Sequence, residues 1–309
     1  MTMLYYSHAD FLAHDTGPGH PESPARLLAI ETALKAAKFQ SIRHVSAPLP
    51  DDIETKLALI HTPAMIARVL TGIPTEGLSH FDADTVASPG SKSAALRAVG
   101  AVCDAVDTLC TDRAQQAFCA VRPPGHHAMP GYPMGFCLFN NIAIAAEYAR
   151  SQYGLERIAI VDFDVHHGNG TQAAFYSQPQ VLYASSHQWP HYPGSGHPSE
   201  NGVGNIINVP LPTGTDGKTF RAKYTDIILP AVRKFNPQLL LISAGFDAHK
   251  DDPLASLRLV EDDYAWVTRQ LRDIADATCN GRIISALEGG YNIPALSASV
   301  AAHVGSLFQ

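Results

Sequence analysis

The chain has 309 residues, 46% of them hydrophobic, which is enough for one large globular domain or two smaller ones. A formal net charge of −7 and the lack of any Lys/Arg cluster speak against a nucleic-acid partner, although a mildly acidic surface tolerates cationic substrates. No uninterrupted apolar stretch approaches the roughly 18 residues of a membrane span, so a soluble protein with no membrane partner is expected. The five cysteines (Cys103, Cys110, Cys119, Cys137, Cys279) are odd in number, show no CxxC spacing and follow no secretory leader, so they are expected to be reduced in a cytoplasmic protein.

In chain order, residues 3–6 are predicted as a strand, followed by a long polar loop with His8, His14, His20 and a Pro-rich turn at 20–24. Apolar spacing predicts a helix over 25–38 and helical structure over 56–70, interrupted at Thr62-Pro63. Residues 71–90 read as irregular, and the Ala-rich stretch 91–109 as a helix. From there strands (118–121, 157–162, 181–185, 206–209, 238–243, 283–287) alternate with helices (140–153, 219–235, 260–277 and a C-terminal one). Alternation of this kind predicts an α/β fold with a mostly parallel sheet and helices on both faces. With no repeat, low-complexity tract or linker in view, one domain over 1–309 is the economical reading.

In such sheets ligands bind beyond the carboxyl ends of the strands. Five predicted strand ends deliver metal-ligating or proton-handling groups bracketed by glycine or proline: His126-His127, Asp164 with His166, His187, Asp247, and Glu288 with Tyr291. The central stretch runs from Ile158 to Gly170. On an extended backbone, residues two apart point the same way, so Asp162, Asp164 and His166 should share one face. Lone Asp or His residues after a strand are also common turn formers and caps, and the convergence of five loops is what argues against that reading here.

Asp164, His166 and Asp247 are the candidate ligands of a divalent metal of the zinc kind. Two carboxylates and one imidazole neutralise a dication and leave room for water and a substrate carbonyl. The alternative, that Asp247 merely caps a helix, is disfavoured because Gly245-Phe246-Asp247 reads as a loop and not as a capping box. Asp162 could orient a ligand or a catalytic histidine from behind. Adjacent His126 and His127 read as a proton-transfer pair, and Tyr291, freed by Gly289-Gly290, as a hydrogen-bond donor to a developing oxyanion. Phe136 and Tyr192 offer aromatic walls for a slender apolar chain, although either could belong to the core.

At these residues the chain resembles the zinc-dependent histone deacetylase family of the arginase/deacetylase superfamily. The likeness is carried by His20-Pro-Glu-Ser-Pro-Ala-Arg26, Arg122-Pro-Pro-Gly-His-His127, Gly135-Phe-Cys-Leu-Phe-Asn-Asn141, the 162–170 stretch, Ser243-Ala-Gly-Phe-Asp247 and Leu287-Glu-Gly-Gly-Tyr-Asn292. Asn169 and Glu288 look like the class II branch and its bacterial amidohydrolase relatives. The resemblance implies a single three-layer domain with an eight-stranded parallel sheet, and hydrolysis of acyl-lysine amides with zinc on Asp164, His166 and Asp247. His127 would be general base and acid, His126 would assist electrostatically through Asp162, and Tyr291 would polarise the carbonyl. Gly135, Phe136 and Tyr192 would flank the acyl-lysine tunnel, and Arg26 would line an inner cavity. Structural potassium is implied too, at Asp162, Asp164, His166, Ser185 and Ser186, with a second site at Phe175, Gln178 and Val181.

Departures from the family pattern matter as well. Asn169 stands where many members have an aspartate partner for the second histidine, Tyr192 where Phe is common, and Ala87 where histone-directed members often carry a rim aspartate. An arginase-like second metal would lack its carboxylates at Gly168-Asn169. Acetylpolyamine hydrolysis is the enzymatic rival, yet the gate position is Leu254, which favours acyl-lysine or another uncharged amide. A non-catalytic acyl-ligand binder would be expected to have lost a ligand or Tyr291. The expected partner is therefore an acylated lysine peptide or small acylated amine, and a homo-oligomer is left open.

Overall fold

A computed structural model describes residues 2–308, so Met1 and Gln309, the ends of the expected domain, lie outside the described residues. The chain opens with β1 (Met3–Ser7), a four-residue helix α1 (Asp10–Ala13), α2 (Ala25–Ala33) and β2 (Arg43–Ser46). Next come α3 (Ile53–Leu57), α4 (Pro63–Gly72), a small hairpin of β3 (Ser79–His80) and β4 (Val86–Ala87), and the long α5 (Ser91–Cys110). The alternating part follows with β5 (Gln116–Cys119), α6 (Asn141–Tyr153), β6 (Ile158–Asp162), α7 (Asn169–Phe175), β7 (Val181–Gln188) and β8 (Ile206–Leu211). The chain closes with α8 (Gly217–Lys223), α9 (Leu229–Phe235), β9 (Leu239–Ala244), α10 (Glu261–Thr278), β10 (Ile283–Leu287) and α11 (Ile293–Phe308).

Eight strands form one sheet in the order β2-β1-β5-β10-β9-β6-β7-β8, and every pairing in it is parallel. Strands β6, β9 and β10 are buried along their whole length, which is why they are mostly runs of Ile, Leu, Val and Ala instead of alternating patterns. Helices α5 and α6 pack together over the sheet, and α10, α11 and α2 form a second helical group. The edges are different: β2 exposes Arg43, His44 and Ser46, and β8 carries Pro210.

Local chemistry explains where the sequence reading and the structure part. Thr62-Pro63 does not interrupt a helix but starts one: the Thr62 hydroxyl accepts from Met65 N (3.2 Å) and Pro63 takes the first turn, where its missing N–H costs nothing. The helix expected over 25–38 ends at Ala33 and resumes as a short 3₁₀ turn, Ala37–Phe39. The stretch 219–235 is α8 and α9 joined through a π-turn at Tyr224–Ile228. The stretch 71–90 contains the β3-β4 hairpin. Three short elements, α1, β2 and α7, were not anticipated.

Consecutive neighbours β5, β10, β9, β6 and β7 deliver their carboxyl-end loops to one place. Those are the five loops that carry the candidate residues.

Candidate active site

Strand β6 stops at Asp162, so the alternation expected over 162–166 does not hold. Asp164 and His166 lie on the bend beyond it, and there they meet Asp247 from the loop after β9. One ligand atom from each of the three lies within 4.8 Å of the others, and all three residues are buried. His166 Nδ1 is 3.1 Å from Asp164 Oδ1 and 3.2 Å from Asp247 Oδ2. The other carboxylate oxygens are fixed by backbone donors, Gly289 N to Asp164 Oδ2 (2.8 Å) and Val165 N to Asp247 Oδ1 (2.9 Å). A Cβ on Gly289 would sit 2.1 Å from Asp247 Oδ2 and one on Gly245 2.0 Å from Asp164 Oδ2, so no larger residue fits at either position without displacing a carboxylate.

The electrostatics of the cluster suit a cation. Burial, and then the neighbouring Asp164, push the Asp247 carboxyl up to about 7. Burial opposes ionisation of Asp164, yet the cationic His126 and His166 outweigh it and hold that carboxyl well below the usual range. His166 is pushed up to about 10, against its burial, by its bonds to Asp164 and Asp247. Positive charge is thus drawn to the point between the two carboxylates, and two oxygens plus one imidazole nitrogen form a donor set that fits zinc.

The loop after β5 brings the two histidine rings to 4.0 Å between centroids, in contrasting surroundings. His126 Nδ1 is 3.0 Å from Asp162 Oδ2, which also accepts from the Tyr183 hydroxyl (2.9 Å). Although burial pulls it down, Asp162 and Asp164 push His126 up to about 10. His127 Nδ1 instead faces the Asn169 side-chain oxygen (2.8 Å), and burial, with the nearby His126 and His166 charges, holds it well below 6.5. Asp162 therefore sits behind a histidine and does not join the ligand cluster. Glu288 steadies the same loop, its Oε2 accepting from Gly125 N (2.7 Å) and His126 N (3.1 Å).

A cavity of about 250 Å³ is lined by His126, His127, His166, Gly135, Phe136, Tyr192, Leu254 and Tyr291. Gly135 (φ 58°) and Phe136 (φ 66°) are both left-handed, which turns the Phe136 ring edge-on to Tyr291 at 5.8 Å. Tyr192 stands edge-on to His127 at 5.2 Å and is half-exposed. Burial, then the charge of Asp247, raises the Tyr291 hydroxyl well above 10, so it stays a donor. Arg26 is fully buried behind it and donates to the carbonyl of Gly290 (2.7 Å).

Several lining groups were missed by sequence reading. Ala87, the position expected to lack a rim carboxylate, is buried in β4, while Asp84 of the preceding turn lines the cavity. His191 also lines it, stacked on His166 with centroids 5.1 Å apart. The Asp82-Ala83-Asp84 turn was visible only as loop composition, and His191 only as the neighbour of Tyr192.

The two implied potassium sites fare differently. Ser185 pairs with Asp162 across β6 and β7, and the hydroxyls of Ser185 and Ser186 are turned to His187 (2.9 Å) and Tyr224 (3.1 Å). At the second site the carbonyls of Phe175, Gln178 and Val181 do converge, but on Asn205 Nδ2, at 2.8, 3.0 and 2.9 Å. The amide of Asn205 stands where a cation would have to, so that site does not fit a second ion.

The five cysteines are free, and among the described residues no helix is long and apolar enough to cross a membrane. The Histone deacetylase domain matches residues 20–307. The chain is 39% identical to Histone deacetylase 10, chloroplastic, of Oryza sativa subsp. japonica, over 96% of this chain and 71% of that one. It is 37% identical to a Histone deacetylase-like amidohydrolase of Pseudomonas aeruginosa, over 89% of this chain and 73% of that one. A crystal structure of the HDA15 HD domain superposes with a TM-score of 0.92 at 35% identity, covering 99% of this chain and 88% of that one. Taken with the fold and the five converging loops, these likenesses place the chain in the histone deacetylase family, as a hydrolase that acts on amides.

Proposed function

We propose that the chain is a zinc-dependent deacylase that removes acetyl or longer acyl groups from lysine-like amines, with water as the nucleophile. The observation that carries this reading is the convergence of the Asp164, His166 and Asp247 donor atoms within 4.8 Å, next to a cavity lined by the aromatic rings of Phe136, Tyr192 and Tyr291. These three residues would hold the zinc, which when bound supplies a Lewis acid and lowers the pKa of water. A structural potassium at Asp162, Asp164, His166, Ser185 and Ser186 belongs to the same proposal, supported by the adjacency of the β6 and β7 ends. A cytoplasmic setting suits the free thiols.

His127 is the proton carrier. Its Nδ1–H donates to Asn169 (2.8 Å), which leaves the Nε2 lone pair to take a proton from water and return it to the leaving amine nitrogen. His126, kept cationic by Asp162, stabilises negative charge as the amide carbonyl is attacked. The Tyr291 hydroxyl donates to the carbonyl oxygen, Phe136 and Tyr192 flank the lysine methylenes, Gly135 forms part of the wall and lets His127 pack against it, and Leu254 stands at the gate.

A second reading, acetylpolyamine hydrolysis, has one observation in its favour: Asp84 puts a carboxylate on the cavity lining, where a distant ammonium could pair with it. One panel separates the readings: acyl-lysine peptides with short and long acyl groups beside acetylated polyamines, run on zinc-loaded protein with and without chelator. Zinc-dependent turnover of acyl-lysine supports the first, and preference for acetylpolyamines the second. No hydrolysis across the panel removes both.

A further inference from the structure

Asp252 lies outside every motif used so far, yet its buried carboxylate joins two loops of the active site. Oδ1 accepts from Leu254 N (3.0 Å), at the gate. Oδ2 accepts from Tyr291 N (2.7 Å) and Asn292 N (3.2 Å), on the loop that carries the phenol. The Leu254 carbonyl in turn receives a bond from His191 Nε2 (3.1 Å), and because a carbonyl can only accept, that nitrogen carries the proton. The path His191–Leu254–Asp252–Tyr291 thus runs from one wall of the cavity to the phenol.

We propose that Asp252 is a positioning residue for the hydrolytic reaction: its carboxylate sets the place of the Tyr291 hydroxyl and ties that place to the gate at Leu254. The proposal rests on the deacylase reading of the site. Two glycines precede Tyr291, and Gly290 is at φ 120°, so the backbone just upstream supplies no side chain to fix the phenol. Arg26 holds the Gly290 carbonyl, and the hydrogen bond from the Tyr291 N–H to the Asp252 carboxylate fixes the backbone at the phenol itself; such charge-assisted bonds are short and strong. A carboxylate is required because both of its oxygens must accept. In Asp252→Asn, of nearly the same shape, one of the two would become an NH₂ facing either Leu254 N–H or the Tyr291 and Asn292 N–H pair, donor against donor.

The test is a double-mutant cycle on zinc-loaded protein with an acetyl-lysine peptide, using Asp252→Asn, Tyr291→Phe and the pair. A misplacement of about 1 Å costs on the order of 10²-fold in rate, so Asp252→Asn should lower kcat by about that factor, with KM changing less. In the Tyr291→Phe background the same change should cost less than about threefold, because the group it positions is gone. An equal loss in both backgrounds, or unaltered kcat in Asp252→Asn, overturns the proposal. Amide hydrogen exchange on the unaltered protein is the second measurement, and it needs neither turnover nor a folded variant. Leu254, Tyr291 and Asn292 should exchange slowly and together, and fast exchange at Tyr291 overturns the proposal as well. Absence of all amide hydrolysis by the unaltered protein would instead fault the deacylase reading, leaving the exchange result to judge Asp252.

Discussion

Two adjacent residues of one type, His126 and His127, are driven in opposite directions by what each touches. Asp162 and Asp164 raise the first, while burial and the charges of His126 and His166 lower the second, whose Nδ1 faces the neutral amide of Asn169. In Asn169→Asp a negative charge would face His127 Nδ1, stabilise the imidazolium and raise its pKa. A base must be neutral to act, so the acidic limb of the kcat/KM profile is expected to move to higher pH; an unmoved limb would uncouple the two residues. Tyr291→Phe removes one donor to the carbonyl oxygen and is expected to lower kcat by roughly 10²–10³-fold while leaving the melting temperature and bound zinc unchanged. The candidate ligands, which the fold brings together, and the adjacent histidines stood out in the sequence because metal and proton chemistry admit few residue types. Asp252 was not, since any Asp can accept backbone amides and nothing in Asp251-Asp252-Pro253 says which two loops will meet it.

At the scale of elements, strand ends were the readable feature. Buried parallel strands announce themselves as apolar runs, whereas β2 is polar and exposed at three of its four residues and α7 is only seven residues long, so neither leaves a pattern. The alternation drawn through Asp162, Asp164 and His166 failed because period two belongs to extended backbone and the strand ends at the first of them. A similar limit applies to the turn between α7 and β7. Phe175, Gln178 and Val181 supply carbonyls as the resemblance implies, but whether a cation or a side chain fills the space depends on Asn205, two dozen residues beyond Val181. Removing that amide in Asn205→Ala leaves three inward carbonyls, a neutral oxygen set of the kind that suits K⁺. The variant is expected to gain a melting-temperature increase in KCl over choline chloride larger than that of the unaltered protein. Equal increases would show that the amide does not exclude the ion.

Across the whole molecule, one buried ionic hub links the amino-terminal loop to the sheet. Glu22 accepts from Arg26 and from both Nε and Nη2 of Arg122, Arg122 also donates to Phe11 O (2.7 Å), and Arg26 reaches the carbonyls of Glu288 and Gly290. Burial pushes the Glu22 carboxyl up, but Arg122 and His14 outweigh it and hold it well below 4.5. A depressed folded pKa means stability that is present above the unfolded value of about 4.3 and lost as pH falls toward the folded one. Glu22→Gln strands two buried guanidinium groups and is expected to cost roughly 3–5 kcal/mol in denaturant unfolding at neutral pH, with a flatter decline on the acid side. A loss below 1 kcal/mol would mean that the hub is dispensable. The motif His20-Pro-Glu-Ser-Pro-Ala-Arg26 was visible in the sequence, but its connections to Arg122, 100 residues from Glu22, and to the phenol loop, 264 residues from Arg26, appear only in the fold.

The flanks of the sheet have a consequence for how copies of the protein behave in a crowded solution. With Arg43, His44 and Ser46 in water on one side and Pro210 withholding an amide on the other, neither border offers a clean ladder for a foreign strand. Pro210→Val would restore the missing donor and is expected to raise light scattering at a lower temperature than in the unaltered protein. Growth of fibrils is thereby opposed at the two places where an open parallel sheet is most exposed to it.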